Sequence, residues 1–293
     1  MRTGRTMVTL TRCALTLGMS IVLLSASAPA AAQGGEGAAK PAVRPWPPAR
    51  LADGQPDVRG VWAAQAGGSV SLSNPISGGM DLQRRLAPGK ELRLPSRLID
   101  PPDGLVPYQP WAEARRKQQE GSYDHPTRPE HIDTQHRCLL GGIPRFYTNV
   151  PAFRIIQSPG TVVFIWEEYH AYRVIPLDGR PHIAPNVKLW MGDSRGRWEG
   201  TTLVVDTTSM KGTRLSMSGD FFSDNVHVVE RIQFVDADTM NYEATVTDPT
   251  VFTRPWTMRV VEKRRPDEEP LESACWEGNP DPDTWLNPSS TGR

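Results

Sequence analysis

The chain has 293 residues, with 33 Lys and Arg against 33 Asp and Glu. This balance lacks the basic surplus that binding to a phosphate backbone calls for, so no nucleic-acid partner is expected. The 28 prolines and 25 glycines disfavour a helix bundle, because both residues interrupt helices, and favour short elements joined by turns.

The N-terminus has the pattern of a secretory signal peptide. Arg2, Arg5 and Arg12 precede a mostly apolar run over 13–28, and Ala30-Ala31-Ala32 offers a small-residue cleavage site before Gln33. Removing 1–32 leaves 261 residues with a net charge near −3. No later run approaches the length of a membrane span, so no membrane insertion is expected after cleavage. The expected location is the periplasm or the exterior. Cys13 leaves with the signal, so Cys138 and Cys275 remain. In an oxidising compartment they are expected to pair, closing a long loop in a bond worth ~3–4 kcal/mol.

Residues 33–56 carry Pro41, Pro45, Pro47 and Pro48 and read as a flexible linker. A first strand is predicted over 57–62. Residues 65–108 have no clean period and read as a loop wrapping the body. Pro110 followed by helix formers predicts a helix over 110–119. A second irregular stretch, 121–150, holds His125, His131, His136 and Cys138. Strands are then predicted at 153–157, 161–168, 169–176, 187–191, 197–199, 201–207, 226–235, 239–247 and 256–262. Ser158-Pro159-Gly160, Asp178-Gly179 and glycine turns separate them. So many short antiparallel strands predict a barrel or sandwich.

Alternation along strands singles out two carboxylates. Glu168 continues the apolar face of Val162, Phe164 and Trp166, and Glu230 interrupts that of Val226, Val228, Ile232 and Phe234. An inward carboxylate needs a partner, for which Arg173, Arg197, Arg231 and Arg259 are candidates. Either the two acids line a polar cavity as acid and base, with His182 assisting, or each is a structural ion pair. A second cluster runs from Trp190 to Gly200. Trp190, Asp193, Arg197, Trp198 and Glu199, with Trp256, suit a saccharide or another amphipathic ligand, or else form a hairpin with core tryptophans. No zinc-type spacing, nucleophile elbow, phosphate loop or dinucleotide fingerprint occurs, so neither a metal nor a cofactor is expected.

Several blocks resemble a group of exported bacterial proteins found in Acidobacteria and Proteobacteria. They are Pro56 to Trp62, Cys138-Leu139 to Pro144-Arg145, Asp178 to His182, Trp190 to Val205, Val228 to Arg231, Asp248-Pro249 to Pro255-Trp256, and Cys275 to Asn279. The resemblance covers roughly residues 53–280 and implies export. Both remaining cysteines fall inside matching blocks. Leu140-Gly141-Gly142 departs from it where prolines are usual, and Gly200-Thr201-Thr202 departs where an acidic residue follows the glycine. Gly60-Val61-Trp62 on a first strand, with Arg259 on the last, is also similar to the lipocalin pattern. There a Trp closes one barrel end and an Arg packs across it.

The expected fold is therefore mainly β: a lipocalin-like antiparallel barrel with an irregular, partly helical N-terminal segment. Its divisions are a signal peptide (1–32), the linker (33–56), a first strand plus covering segment (57–150), the barrel body (151–280) and a disordered tail (281–293). The expected function is binding of a small amphipathic or saccharide ligand. The alternatives are a hydrolase or lyase using Glu168, Glu230 and His182, and a structural envelope protein. The partner is a small molecule; oligomeric state is left open.

Overall fold

The computed structural model describes residues 45–65, 71–73, 95–123, 125–148, 152–169 and 171–275. The expected signal peptide, the part of the expected linker before residue 45, the expected tail over 281–293 and His170 lie outside the described residues. The strands are β1 (Gly60–Ala64), β2 (Leu98–Asp100), β3 (Phe153–Ser158), β4 (Thr161–Trp166), β5 (Tyr172–Pro176), β6 (Asp193–Glu199), β7 (Thr202–Thr208), β8 (His227–Phe234), β9 (Thr239–Thr247) and β10 (Trp256–Arg264). Among the described residues the α-helices are α1 (Pro110–Gly121) and α2 (Arg145–Thr148). Among the described residues no helix is long and apolar enough to cross a membrane.

Nine strands form a continuous antiparallel sheet in the order β5-β4-β3-β1-β10-β9-β8-β7-β6, and β2 pairs with β10 outside that path. The sheet curls into a nearly closed barrel. Its ends, β5 and β6, lie side by side without a backbone ladder. Side chains hold this seam. Arg173 Nε donates to Ser194 Oγ at 2.8 Å. A Cβ at Gly196 would lie 2.6 Å from Ile175 Cγ2 and 2.8 Å from Leu177 Cδ2, so the strands can approach only because residue 196 has no side chain.

Local chemistry explains most elements. Pro110 opens α1 at a position where a missing N–H costs nothing. Gly160, at φ +67°, turns the β3–β4 hairpin. Inward positions alternate as predicted, with Val162, Phe164, Trp166, Val228, Ile232 and Phe234 all buried. Tyr147 of α2 plugs the interior. It stacks on Tyr242 with centroids 3.7 Å apart and meets Phe153, Phe164 and Trp166 edge-on. Cys138 and Cys275 form a disulfide, with Cα atoms 5.5 Å apart.

Some boundaries differ from expectation. Residues 187–191 are not a strand; they make only the isolated Leu189–Met210 bridge. Instead β6 begins at Asp193, because the glycine at 196 serves close strand approach and not a turn. β1 begins at Gly60 rather than at 57, and β5 at Tyr172 rather than at 169. β2 and α2 lie in stretches expected to be irregular. Trp62 is fully buried, but the guanidinium over its ring, at 4.2 Å, belongs to Arg264. Arg259 is out of phase with the inward set Trp256, Met258, Val260 and Glu262, so it faces solvent and pairs with Glu243.

Candidate functional site

Two of the buried polar networks adjoin the β5–β6 side of the barrel. The first is centred on Arg173, which enters the barrel from β5. Its Nη1 donates to Glu230 Oε1 at 2.9 Å, and Nη2 donates to Thr207 Oγ1 at 2.6 Å and to Glu230 Oε2. Tyr242 OH donates to Glu230 Oε1 at 3.0 Å, and Thr207 Oγ1 to Oε2 at 3.2 Å. Burial opposes the Arg173 charge, but the facing Glu230 carboxylate outweighs it and holds the guanidinium protonated. Burial, reinforced by Glu230, pushes both Tyr147 and Tyr242 well above the usual phenol range.

The second network lies beside the disulfide. Arg145 Nη2 donates to Asp133 Oδ1 at 2.8 Å, and both side chains are wholly buried. Burial raises the Asp133 carboxyl, yet the Arg145 charge and hydrogen bonds bring it below the usual carboxylate range. Gln135 accepts from Arg145 and donates to Glu168, which forms a bridge with Ser273.

A cleft of about 540 Å³ opens at the seam, above the first network. Ala171, Tyr172, Arg173 and Val174 form one side, and Leu189 to Ser194 the other; Leu140 and Tyr169 close one end. Buried Arg173 and Ser194 make its floor, whereas Tyr172 is 67% exposed at its rim. Lys211 sits 4.7 Å above the Trp190 ring and covers one face of it. Tyr169 holds a left-handed backbone, φ +57°, pinned by its hydroxyl donating to Gln135 O at 2.9 Å. A bulky residue in that conformation is strained, and such strain collects at binding and catalytic sites.

Beneath α1 lies another cleft, of about 520 Å³, lined by Tyr108, Arg116 and Asp220. Its buried acid is already engaged. Asp220 accepts from Tyr108 OH at 2.9 Å, from Ser216 Oγ at 2.5 Å and from Leu72 N at 3.3 Å.

The structure divides the sequence-predicted residues. Arg173, Trp190 and Asp193 line the seam cleft, and Glu230 lies directly beneath it. His182 stands behind the cleft, bonded to Asp193. Glu168 does not meet Glu230: it is half-buried past the end of β4 and belongs to the second network. Arg197 and Glu199 are exposed and pair with each other, and Glu199 also with Arg231. Trp198 packs on Phe234 and donates to Gln55 Oε1 at 3.3 Å. Trp256 is core, edge-on to Phe252. None of these four lines the cleft.

Tyr169, Tyr172, Ser194 and the Asp133–Arg145 pair belong to these sites without standing out in the sequence. Glu262 was also missed, although it continues the inward set Trp256, Met258 and Val260 by the same period-two rule that exposed Glu230. Among the described residues no group of three or more His, Cys, Asp or Glu side chains is placed to hold a metal ion. Comparison with family models, with curated proteins and with solved structures finds no match.

Proposed function

We propose that the protein is an exported binding protein that takes a small amphipathic ligand, such as an alkylated sugar, in the seam cleft. One observation carries this reading: among the described residues, the one unladdered neighbouring strand pair of the barrel opens on a buried polar floor, Arg173 and Ser194, under walls of exposed Tyr172, Val174 and Leu189 and half-buried Trp190. A ligand with hydroxyls at one end and an apolar face at the other matches both surfaces. Export is supported by the N-terminal sequence pattern and is in keeping with the disulfide. An acid–base enzyme fits the geometry less well. Glu230 spends both oxygens on Arg173, Tyr242 and Thr207, while Glu168 and His182 have other partners.

The test uses n-octyl β-D-glucoside below its micelle concentration, with binding measured calorimetrically. Tyr172→Ala and Trp190→Ala are expected to weaken binding about tenfold each, or ~1.4 kcal/mol. Trp46→Ala, at a separate opening near Arg264, should leave affinity unchanged. A loss at Trp46 alone would move the site away from the seam, and equal affinities in all four proteins would overturn it.

A further inference from the structure

One wall of the seam cleft belongs to the segment joining β5 to β6, which carries Leu189, Trp190 and Met191. The first half of that segment is tied to the barrel's outer face. Arg195 Nη2 donates to Pro181 O at 2.8 Å, and Arg195 Nε to Arg180 O at 3.0 Å. Ile183 N donates to Asp193 Oδ2 at 3.0 Å. Between these ties sits His182. Its Nδ1 is 2.8 Å from Asp193 Oδ2, and its Nε2 is 2.8 Å from Asp206 Oδ1. The other oxygen of Asp206 lies 2.8 Å from His227 Nε2. A continuous chain results, Arg195–Asp193–His182–Asp206–His227, which crosses β6, β7 and β8 and is half open to solvent.

Counting donors reveals what this arrangement requires. A neutral imidazole has one N–H and one lone pair, whereas an ionised carboxylate only accepts. With a carboxylate oxygen at hydrogen-bond distance from each ring nitrogen, both contacts are satisfied only when both nitrogens carry protons. Remove one proton, and a nitrogen lone pair faces a carboxylate oxygen. One of the two contacts must then open. Asp193 keeps Arg195 and Ile183 N as donors, and Asp206 keeps His227, so neither acid is free to follow the ring.

We propose that His182 is a proton-dependent clamp on the cleft wall. Doubly protonated, it ties the wall segment to β6 and β7 and holds the cleft in its ligand-accepting shape. Singly protonated, it releases one tie and loosens residues 183–192. The charged groups facing it are Asp193 and Arg195 from β6, Asp206 from β7 and His227 from β8. Asp178 and Arg180 lie on its own segment and pair with each other. As a control on ligand binding the clamp presupposes the seam cleft as the ligand site; as a motion of the wall it does not.

Amide hydrogen exchange of the full chain at about pH 5 and about pH 8, corrected for intrinsic rates, tests it across the range where imidazole changes charge. Protection of residues 183–192 is expected to fall about tenfold at the higher pH in the wild-type protein. His182→Arg supplies a two-donor cation at either pH and should keep protection high at both. His182→Gln has donors on one nitrogen only, its other end being an acceptor oxygen, and should show low protection at both. Amides of β3 and β4 report whether each variant is folded. Equal wild-type exchange of the wall at the two pH values would overturn the clamp whatever the variants do, and so would a pH dependence that survives in His182→Gln. Binding of n-octyl β-D-glucoside separates the two ideas. A wall that responds to pH in a protein that does not bind the probe would retain the clamp and reject the ligand site. A pH-independent wall in a protein that binds the probe would do the reverse.

Discussion

Two inward carboxylates, Glu230 and Glu262, are both essentially unexposed, yet their surroundings set them apart. Glu230 faces a guanidinium and two hydroxyls, so burial is offset by hydrogen bonds and charge. For Glu262, neither oxygen has a hydrogen-bond partner among the described residues. Burial drives its pKa up to about 8, against a smaller opposing pull from Arg97 and Arg265. Native protein therefore holds a proton on Glu262 that unfolded chain releases above its ordinary value of 4.5. Stability attributable to this group is fully present below that value and is lost as pH rises toward about 8. The slope is roughly 1.4 kcal/mol per pH unit, a few kcal/mol across the window. Asp133, whose pKa is depressed, acts in the opposite sense and only at acid pH. Urea melts at about pH 5 and about pH 8.5 should show the wild-type protein losing a few kcal/mol that Glu262→Gln does not lose. Comparing the change between the two pH values removes the fixed cost of burying an amide. Parallel losses in both proteins would mean that Glu262 is already ionised in the native state.

At the level of elements, period-two alternation made the barrel strands legible, and it correctly turned Glu230 inward. It failed where one residue type has two uses. Glycine punctuates turns, and it also permits strands to touch; at 196 the second use prevails, so a turn was expected where β6 runs. The same ambiguity hid Ser194, which lies on the inward face of that strand. Tyr172 went unnoticed because an exposed aromatic carries no sequence signal until the seam gives it a neighbour. The Asp133–Arg145 pair and α2 lie in a stretch without periodicity, held by tertiary contacts that no local pattern encodes. Expecting Arg259 over Trp62 was a phase error, since only even-numbered positions of β10 from 256 to 264 point toward the core side. Gly196 offers a direct check. Gly196→Ala places a methyl against Ile175, a fully buried β-branched residue unable to swing aside, and should cost ~1–3 kcal/mol. Gly121→Ala, at the end of α1 with nothing within 4 Å of the new methyl, should change stability by less than about 0.5 kcal/mol. Thermal melts that place the two variants together would mean that the seam has slack.

Across the whole molecule, the barrel has a weak side. Eight neighbouring strand pairs share ladders, and the ninth contact, β5 against β6, depends on side chains. The segments that finish this side come from far apart in the chain. Tyr169 and Leu140 close the cleft, Gln135 binds both Tyr169 and Glu168, and Ser273 bridges Glu168. Cys138 and Cys275 join these segments at a separation of 137 residues, enclosing β3 to β10 in one covalent loop. Tying so long a loop restricts the unfolded chain, and a native disulfide typically contributes ~2–4 kcal/mol, a loop of this length standing at the upper end. The ladders themselves do not need the bond. Thiol titration of unfolded, unreduced protein should therefore find no free cysteine among the two, and a dithiol reductant should lower the urea midpoint by an amount matching that loss. Reduction should also speed amide exchange in residues 133–140, 165–169 and 171–175 more than in β7 to β9, because the former lean on the bridged segments. Free thiols in the untreated protein would refute the bridge. An unchanged urea midpoint after reduction would place its constraint within residual structure of the unfolded chain, and uniform exchange throughout the barrel would mean that the seam is no weaker than its ladders.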